Sequence, residues 1–304
     1  MDLRIKQMEQ IALQNRVMTQ VHRWYQFYER ADQIVENQLD LLTDDIYVKS
    51  SLDESRGRDA YRTRLSKIPA GWKNAHHIQH VEVKQTDNII LLMMEIIYQN
   101  IGYLPERKMM NTPLRYHAKL GNYHSLLPKF FDVQIEQMDI EISHLYSEFR
   151  DAYALNRMKS LIHYWLTLFE TPLSDATLFK EIFYKEINLH LSSARCANYD
   201  EFNSWFTKNT MPVLKSSHTI NFFKVNEIDK NLYQLNMELE WSGFAKNNPD
   251  QELEARTSHE WIVISNPLER FPRIKSIKVN SLKSFRPKIS EDKPSSEMTD
   301  KSPT

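Results

Sequence analysis

Three histidines fall within five positions of AHHIQHVEV, residues 75–83, and a carboxylate, Asp32, stands just beyond the first long amphipathic segment. Two kinds of chemistry use such residues. A metal ion needs several ligands converging within about 2 Å of one point. Val81 and Val83 mark the stretch as a strand, in which His76 and His80 would lie about 13 Å apart and His77 would point to the opposite face. No metal site is therefore expected. General-base chemistry asks for less. A carboxylate bonded to one imidazole nitrogen fixes the tautomer and raises the basicity of the other, which can then take a carbon-bound proton. Asp32 and His76 are the candidate pair, and such a pair needs no cofactor.

Composition narrows the partners. The chain has 304 residues with 39 basic and 40 acidic side chains, so no overall field favours nucleic acid, and no basic block supplies a local one. No stretch approaches the roughly 20 apolar residues of a membrane span, and the N-terminus lacks the apolar core and small-residue pattern of a signal peptide. The single cysteine, Cys196, excludes an internal disulfide and a thiolate zinc cluster. A soluble, cytoplasmic protein is expected, with neither nucleic acid nor membrane as partner. GxGxxG, GxxxxGK and GxSxG are all missing from the sequence, which leaves nucleotide-cradling loops and a hydrolase elbow without support.

The elements that must position the candidate pair occur twice. ALQNRVMTQVHRWYQFYE, from Ala12, aligns with YALNRMKSLIHYWLTLFE, from Tyr153, at a shift of 141 residues that places Asn15 on Asn156, Arg16 on Arg157, Trp24 on Trp165 and Glu29 on Glu170. The same shift carries Ile46 to Ile187, Asp59 to Asp200 and Arg115 to Arg256. At 142 His76 meets His218, Ile78 meets Ile220 and Val83 meets Val225, and at 144 Pro128 meets Pro272. Small changes of offset are what loops tolerate. The reading is a domain duplication, residues 1–141 and 142–283, followed by a Ser-, Pro-, Lys- and Glu-rich tail, 284–304, expected to be disordered.

Each copy opens with helical periodicity, Ile11, Val17, Val21, Trp24, Phe27 and Tyr28 in the first, and continues through IVENQLDLL and GRDAYRTRLSKI as shorter helices. Strands dominate the remainder: IILLMMEIIYQNIG and KFFDVQIEQM in the first copy, LYQLNMELEWSGF and RIKSIKVN in the second. Helices first and antiparallel strands afterwards give an α+β unit whose sheet curls around its opening helices.

The aromatic-bearing first helix, the junction LLTDDIYVKS with Asp44 and Asp45, and the strand HHIQHVEV together resemble the NTF2-like superfamily, its SnoaL-like branch in particular. The resemblance covers both copies. It implies a cone-shaped unit with a pocket for a small, apolar organic molecule. Dehydratases and a dehydrochlorinase of that superfamily use an Asp–His pair to abstract a proton, and Asp32 and His76 sit where that pattern places them. Noncatalytic relatives, the β subunits of ring-hydroxylating dioxygenases, are similar in carrying an acid after the first helix and a histidine in this strand, as a polar contact between helix and sheet. The second copy departs from the pattern: Leu173 is in register with Asp32, and the nearest carboxylate is Asp175. A ketosteroid-isomerase base is not matched either, since Ser50 and Leu191 occupy its strand position and Trp24 replaces the first-helix tyrosine.

Trp24, Tyr28, His80, Arg115 and His218 complete the candidate set as substrate-binding residues. Arg115 and Arg256 read equally as outer-face ion pairs. Two functions stay open: a binder of a small apolar molecule with lyase or isomerase chemistry at Asp32 and His76, or a noncatalytic interaction or scaffold protein. In the second, the fused copies replace a homodimer, and a monomer is expected.

Overall fold

The computed structural model describes residues 3–30, 32–121, 125–139 and 146–288. Its first helix, α1 (Leu3–Glu29), is buried on two faces of different character. Leu13, Val17, Val21, Trp24 and Tyr25 form an apolar stripe at helical spacing that enters one core. Asn15, Thr19, Gln20, His22, Arg23 and Gln26 are buried as well, although polar. A polar face can be buried only against groups that satisfy it, and the partner here is the corresponding helix of the second copy.

After α1 come α2 (Val35–Leu39), β1 (Leu42–Lys49), β2 (Glu54–Arg56), α3 (Arg58–Leu65), β3 (Lys73–Thr86), β4 (Ile89–Ile101), β5 (Met109–Gly121) and β6 (Lys129–Gln137). The six strands make one sheet in the order β2-β1-β6-β5-β4-β3, parallel only between β1 and β6. The second copy repeats this with α4 (Tyr153–Glu170), β7 (Phe183–His190), β8 (Arg195–Cys196), α5 (Tyr199–Thr210), β9 (Val213–Asp229), β10 (Leu232–Ala245), β11 (Asn248–Ile264) and β12 (Arg273–Pro287). Its sheet order, β8-β7-β12-β11-β10-β9, is the same, with β7 and β12 as the parallel pair. A single 3-10 turn at Thr177–Glu181 stands in place of α2.

The α+β expectation is met twice, and each unit has its own core. Trp24, Tyr61, Phe130 and the strand residues Met94, Ile96 and Leu120 fill the first. Trp165, Phe179, Phe202, Phe206 and Trp261 fill the second, as a cluster of edge-to-face and tilted rings at centroid distances of 5.0–6.1 Å. The expected boundary at 141/142 falls outside the described residues. Of the expected tail, 284–287 finish β12, and 289–304 lie outside the described residues. No helix among the described residues is long and apolar enough to cross a membrane.

One irregularity recurs. In β3 the pairing with β4 skips Gln79, between Ile78 and His80; in β9 the pairing with β10 skips Asn221, its counterpart at a shift of 142. An extra residue in one strand reverses which side chains face inward beyond it, so Ile78 and then Val81 and Val83 pack on the first core.

The ring cluster sets a packing prediction. Truncating Trp165 to alanine should cost about 3–5 kcal/mol of unfolding free energy, read by urea denaturation; a loss under 1 kcal/mol would mean the second cone is loosely filled.

Candidate functional site

The histidine of the candidate pair is buried, 5% exposed, on the edge strand β3. Its carboxylate is Glu29, the last residue of α1. The His76 backbone N–H donates to Glu29 Oε1 at 2.9 Å, and the ring Nδ1 lies 3.3 Å from the same oxygen. Asp32 lies three residues past Glu29 and is held instead by Arg30, whose Nε is 2.9 Å from its Oδ1. The Arg30 guanidinium depresses the Asp32 pKa, and the carboxylate stays half exposed at 49%. The expected Asp32–His76 pair is thus corrected to Glu29–His76. A neighbouring arginine captures the aspartate, while the helix end brings Glu29 to the sheet edge.

The second copy makes the same arrangement. Glu170 accepts the His218 backbone N–H at 2.6 Å and faces His218 Nδ1 at 3.1 Å. His218 therefore has a carboxylate partner, although Leu173 stands in register with Asp32.

Each pair is completed by the other copy. Asn156 Nδ2, on α4, donates to Glu29 Oε1 and Oε2 at 3.0 and 3.2 Å and to the His76 carbonyl at 3.2 Å. Asn15 Nδ2, on α1, donates to Glu170 Oε1 and Oε2 at 2.9 and 3.1 Å and to the His218 carbonyl at 3.0 Å. With each amide nitrogen spent on a carboxylate, each amide oxygen faces a histidine: Asn156 Oδ1 is 2.9 Å from His22 Nδ1, and Asn15 Oδ1 is 2.9 Å from His163 Nδ1. Those nitrogens must be the protonated ones, since an amide oxygen only accepts. The His22 and His163 rings stack at 5.7 Å between the two halves of the network.

Burial sets the charges. Desolvation pushes His76 and His163 down to about 3 and His22 well below its usual value, so all three rings are neutral. Desolvation also pushes Glu29 up to about 8, against the hydrogen bonds from Asn156 and the His76 N–H that favour its ionised form. The His76 ring stacks on Tyr25 at 4.7 Å and Tyr98 at 4.9 Å.

The other candidate residues separate. Trp24 is 1% exposed and packs on Phe130 and Tyr61. Tyr28 bonds through its hydroxyl to that of Tyr61. His80 follows the bulge and is exposed, so it does not share the face of His76 that unbroken alternation predicts. Arg115 pairs with Glu95 at 2.8 Å, and Arg256 with Glu238, as cross-strand ion pairs. Of the candidate set, His218 lines an open groove between the units and Arg115 one on the outer face of the first sheet. Sequence reasoning passed over Glu29, Glu170, Asn15 and Asn156 as site residues. Their recurrence at one shift, together with Arg16 as Arg157 and His22 as His163, was the signal.

No family model matches the chain, and no curated protein matches it in sequence. Solved structures do. A cystatin-like-fold protein from Caulobacter vibrioides is 11% identical, with 42% of this chain and 89% of that one covered at a TM-score of 0.36. An NTF2-like superfamily protein from Salmonella enterica serovar Typhimurium is 15% identical over 42% of this chain and 85% of its own, at 0.32. The hexachlorocyclohexane dehydrochlorinase LinA-type3 from Novosphingobium barchaimii is 6% identical over 35% and 71%, at 0.30. Each match has about the length of one unit. Both units share one order of six strands.

Two predictions follow from the network. Replacing Asn156 by leucine strands the Glu29 carboxyl, the His76 carbonyl and the His22 N–H at once, and should cost roughly 3 kcal/mol in denaturant unfolding; a near-neutral effect would remove the network from any structural role. Stability should also peak near pH 6.5. Below the histidines' unfolded value of 6.5 the unfolded chain binds protons that the folded His76 and His163, held at about 3, refuse, so stability falls as pH drops. Glu29 acts in the opposite sense: between its unfolded value of 4.5 and its folded value of about 8 the folded state holds the extra proton, so stability falls as pH rises through that window. Thermal melts from pH 4.5 to 8 should show both limbs, and Glu29→Gln should flatten the alkaline one.

Proposed function

We propose that this chain is a noncatalytic interaction or scaffold protein, a pseudo-dimer of two NTF2-like units in one polypeptide, in which the carboxylate–histidine pairs join the units and do no proton chemistry. The observation that carries it is the bonding of Asn156 to both oxygens of Glu29 and to the His76 carbonyl, repeated by Asn15 on Glu170 and His218. A general base works best with a pKa near the operating pH and within reach of its substrate. His76 is held at about 3, is 5% exposed and stacks on two tyrosines, and Trp24, Tyr61 and Phe130 occupy the cone beside it.

Further contacts between the units support the fused arrangement. Arg157 Nη1 donates to Gln26 Oε1 at 2.8 Å, Gln26 Nε2 to Ser160 at 3.0 Å, and Gln33 Nε2 to the Tyr153 hydroxyl at 2.7 Å. Arg270 Nε pairs with Asp40 at 3.0 Å, and Lys215 with Glu9 at 3.1 Å. An interface of this kind, normally shared by two chains, is here satisfied within one.

The chain should run as a monomer of 36.2 kDa by light scattering. His76→Ala should lower the melting temperature, and the wild-type protein should turn over none of a panel of dehydration and dehydrohalogenation substrates. Turnover that His76→Ala abolishes while the fold and melting temperature are kept would reverse the assignment.

A further inference from the structure

The two copies differ at the seam in one position that matters for binding. Lys159, on α4, corresponds at the shift of 141 to Met18 on α1. It lies in a half-open groove of about 790 Å³ between α1, α4 and the edge strand β9. Ile11, Leu155, Ile220 and Phe222 give that groove apolar walls, and Phe222 and Leu155 remain 50% and 38% exposed. An apolar channel open beside a cation contrasts with the hydrogen-bonded bracket next to it.

Lys159 makes no hydrogen bond or ion pair with any described residue, and its partial burial, with no opposing carboxylate, lowers its pKa. Its electrostatic neighbours are the neutral rings of His163 and His22, which its charge pushes further toward neutrality. Four other cations along the seam are matched: Arg23 and Arg270 by Asp40, Lys215 by Glu9, Arg157 by Gln26 and backbone carbonyls. A second open groove, on the outer face of the first sheet, offers the same contrast. Its cations Lys84, Arg115 and Lys119 are paired with Glu82, Glu95 and Asp132. A desolvated ammonium without a counter-ion is a standing electrostatic cost that an incoming anion would remove.

We propose that the seam groove is a binding site for a small apolar carboxylate, a medium-chain fatty acid or a compact hydrophobic acid, with the carboxylate on Lys159 and the hydrocarbon along Ile11, Leu155, Ile220 and Phe222. The histidines of the groove set the polarity of the recognition. His163 Nδ1 and His218 Nδ1 face Asn15 Oδ1 and Glu170, so their N–H bonds point away from the ligand and Lys159 is the principal donor to it. Volume suits the same class: small-molecule sites run from about 300 to 1,000 Å³. The groove opens at the helix seam and shares Ile220 and Phe223 with the margin of the second core.

The test is titration of the full chain with sodium decanoate, followed by amide NMR and calorimetry, with decanol as the uncharged probe. Decanoate should shift the signals of 219–223 and of the first turns of α4. Lys159→Met, which installs the residue of the other copy, should weaken decanoate at least tenfold, leave decanol unchanged and preserve the melting temperature; Lys159→Arg should restore binding. No binding of decanoate, equal binding by Lys159→Met, or shifts confined to the cone interiors would each overturn the proposal.

Discussion

The structure depends on how two sheet edges are finished. An edge strand carries backbone N–H and C=O groups with no neighbouring strand to take them, and a buried edge must find partners elsewhere. At β3 and β9 the same solution is used. The carboxylate that ends the copy's opening helix accepts the strand N–H, at His76 and at His218, and an asparagine from the other copy's opening helix donates to the strand carbonyl and to that carboxylate. Neither copy can complete its own edge. The duplication is thus built into the hydrogen bonding, because Asn15 serves the second unit and Asn156 the first.

From that bracket the rest of the seam follows in order. Each asparagine amide is oriented by the carboxylate on its nitrogen side, the amide oxygen then fixes the tautomer of His22 or His163, and the two fixed rings meet face to face at 5.7 Å. Two stacked imidazoles in a desolvated site resist protonation, and burial holds both below the usual histidine range. Pseudo-symmetry separates the bracket, which both copies share at Asn15 and Asn156 and at Glu29 and Glu170, from positions such as Lys159 and Met18, at which the copies part.

Much of this was legible in one dimension. Helical periodicity in α1, the buried strands β4 and β10, and the ordered matches between copies specified two α+β units. The pairing of His76 was read incorrectly because proximity in sequence could not distinguish Glu29 from Asp32, three residues apart at a helix end. The distinction lay in the second copy, where Glu29 recurs as Glu170 while the position of Asp32 becomes Leu173. His80 was misplaced for a similar reason. Strict alternation puts it beside His76, yet the inward residues change parity from Ile78 to Val81 and Val83, which is the mark of a bulge at Gln79. The groove at Lys159 was beyond reach, because its walls come from α1, α4 and β9 and meet only after folding.

A seam this polar is better suited to selecting one arrangement than to adding stability. Burying carboxylates and imidazoles costs desolvation that their hydrogen bonds recover only when all are made. A shift of α1 along α4 by one turn would separate Asn15 from Glu170 and Asn156 from Glu29 together, leaving two carboxyls and two strand carbonyls unpaired at once. An apolar helix face would tolerate that shift at the cost of a few contacts. With two similar units on one chain, many approximate pairings compete, and the polar bracket penalises every one except that in which both copies are satisfied.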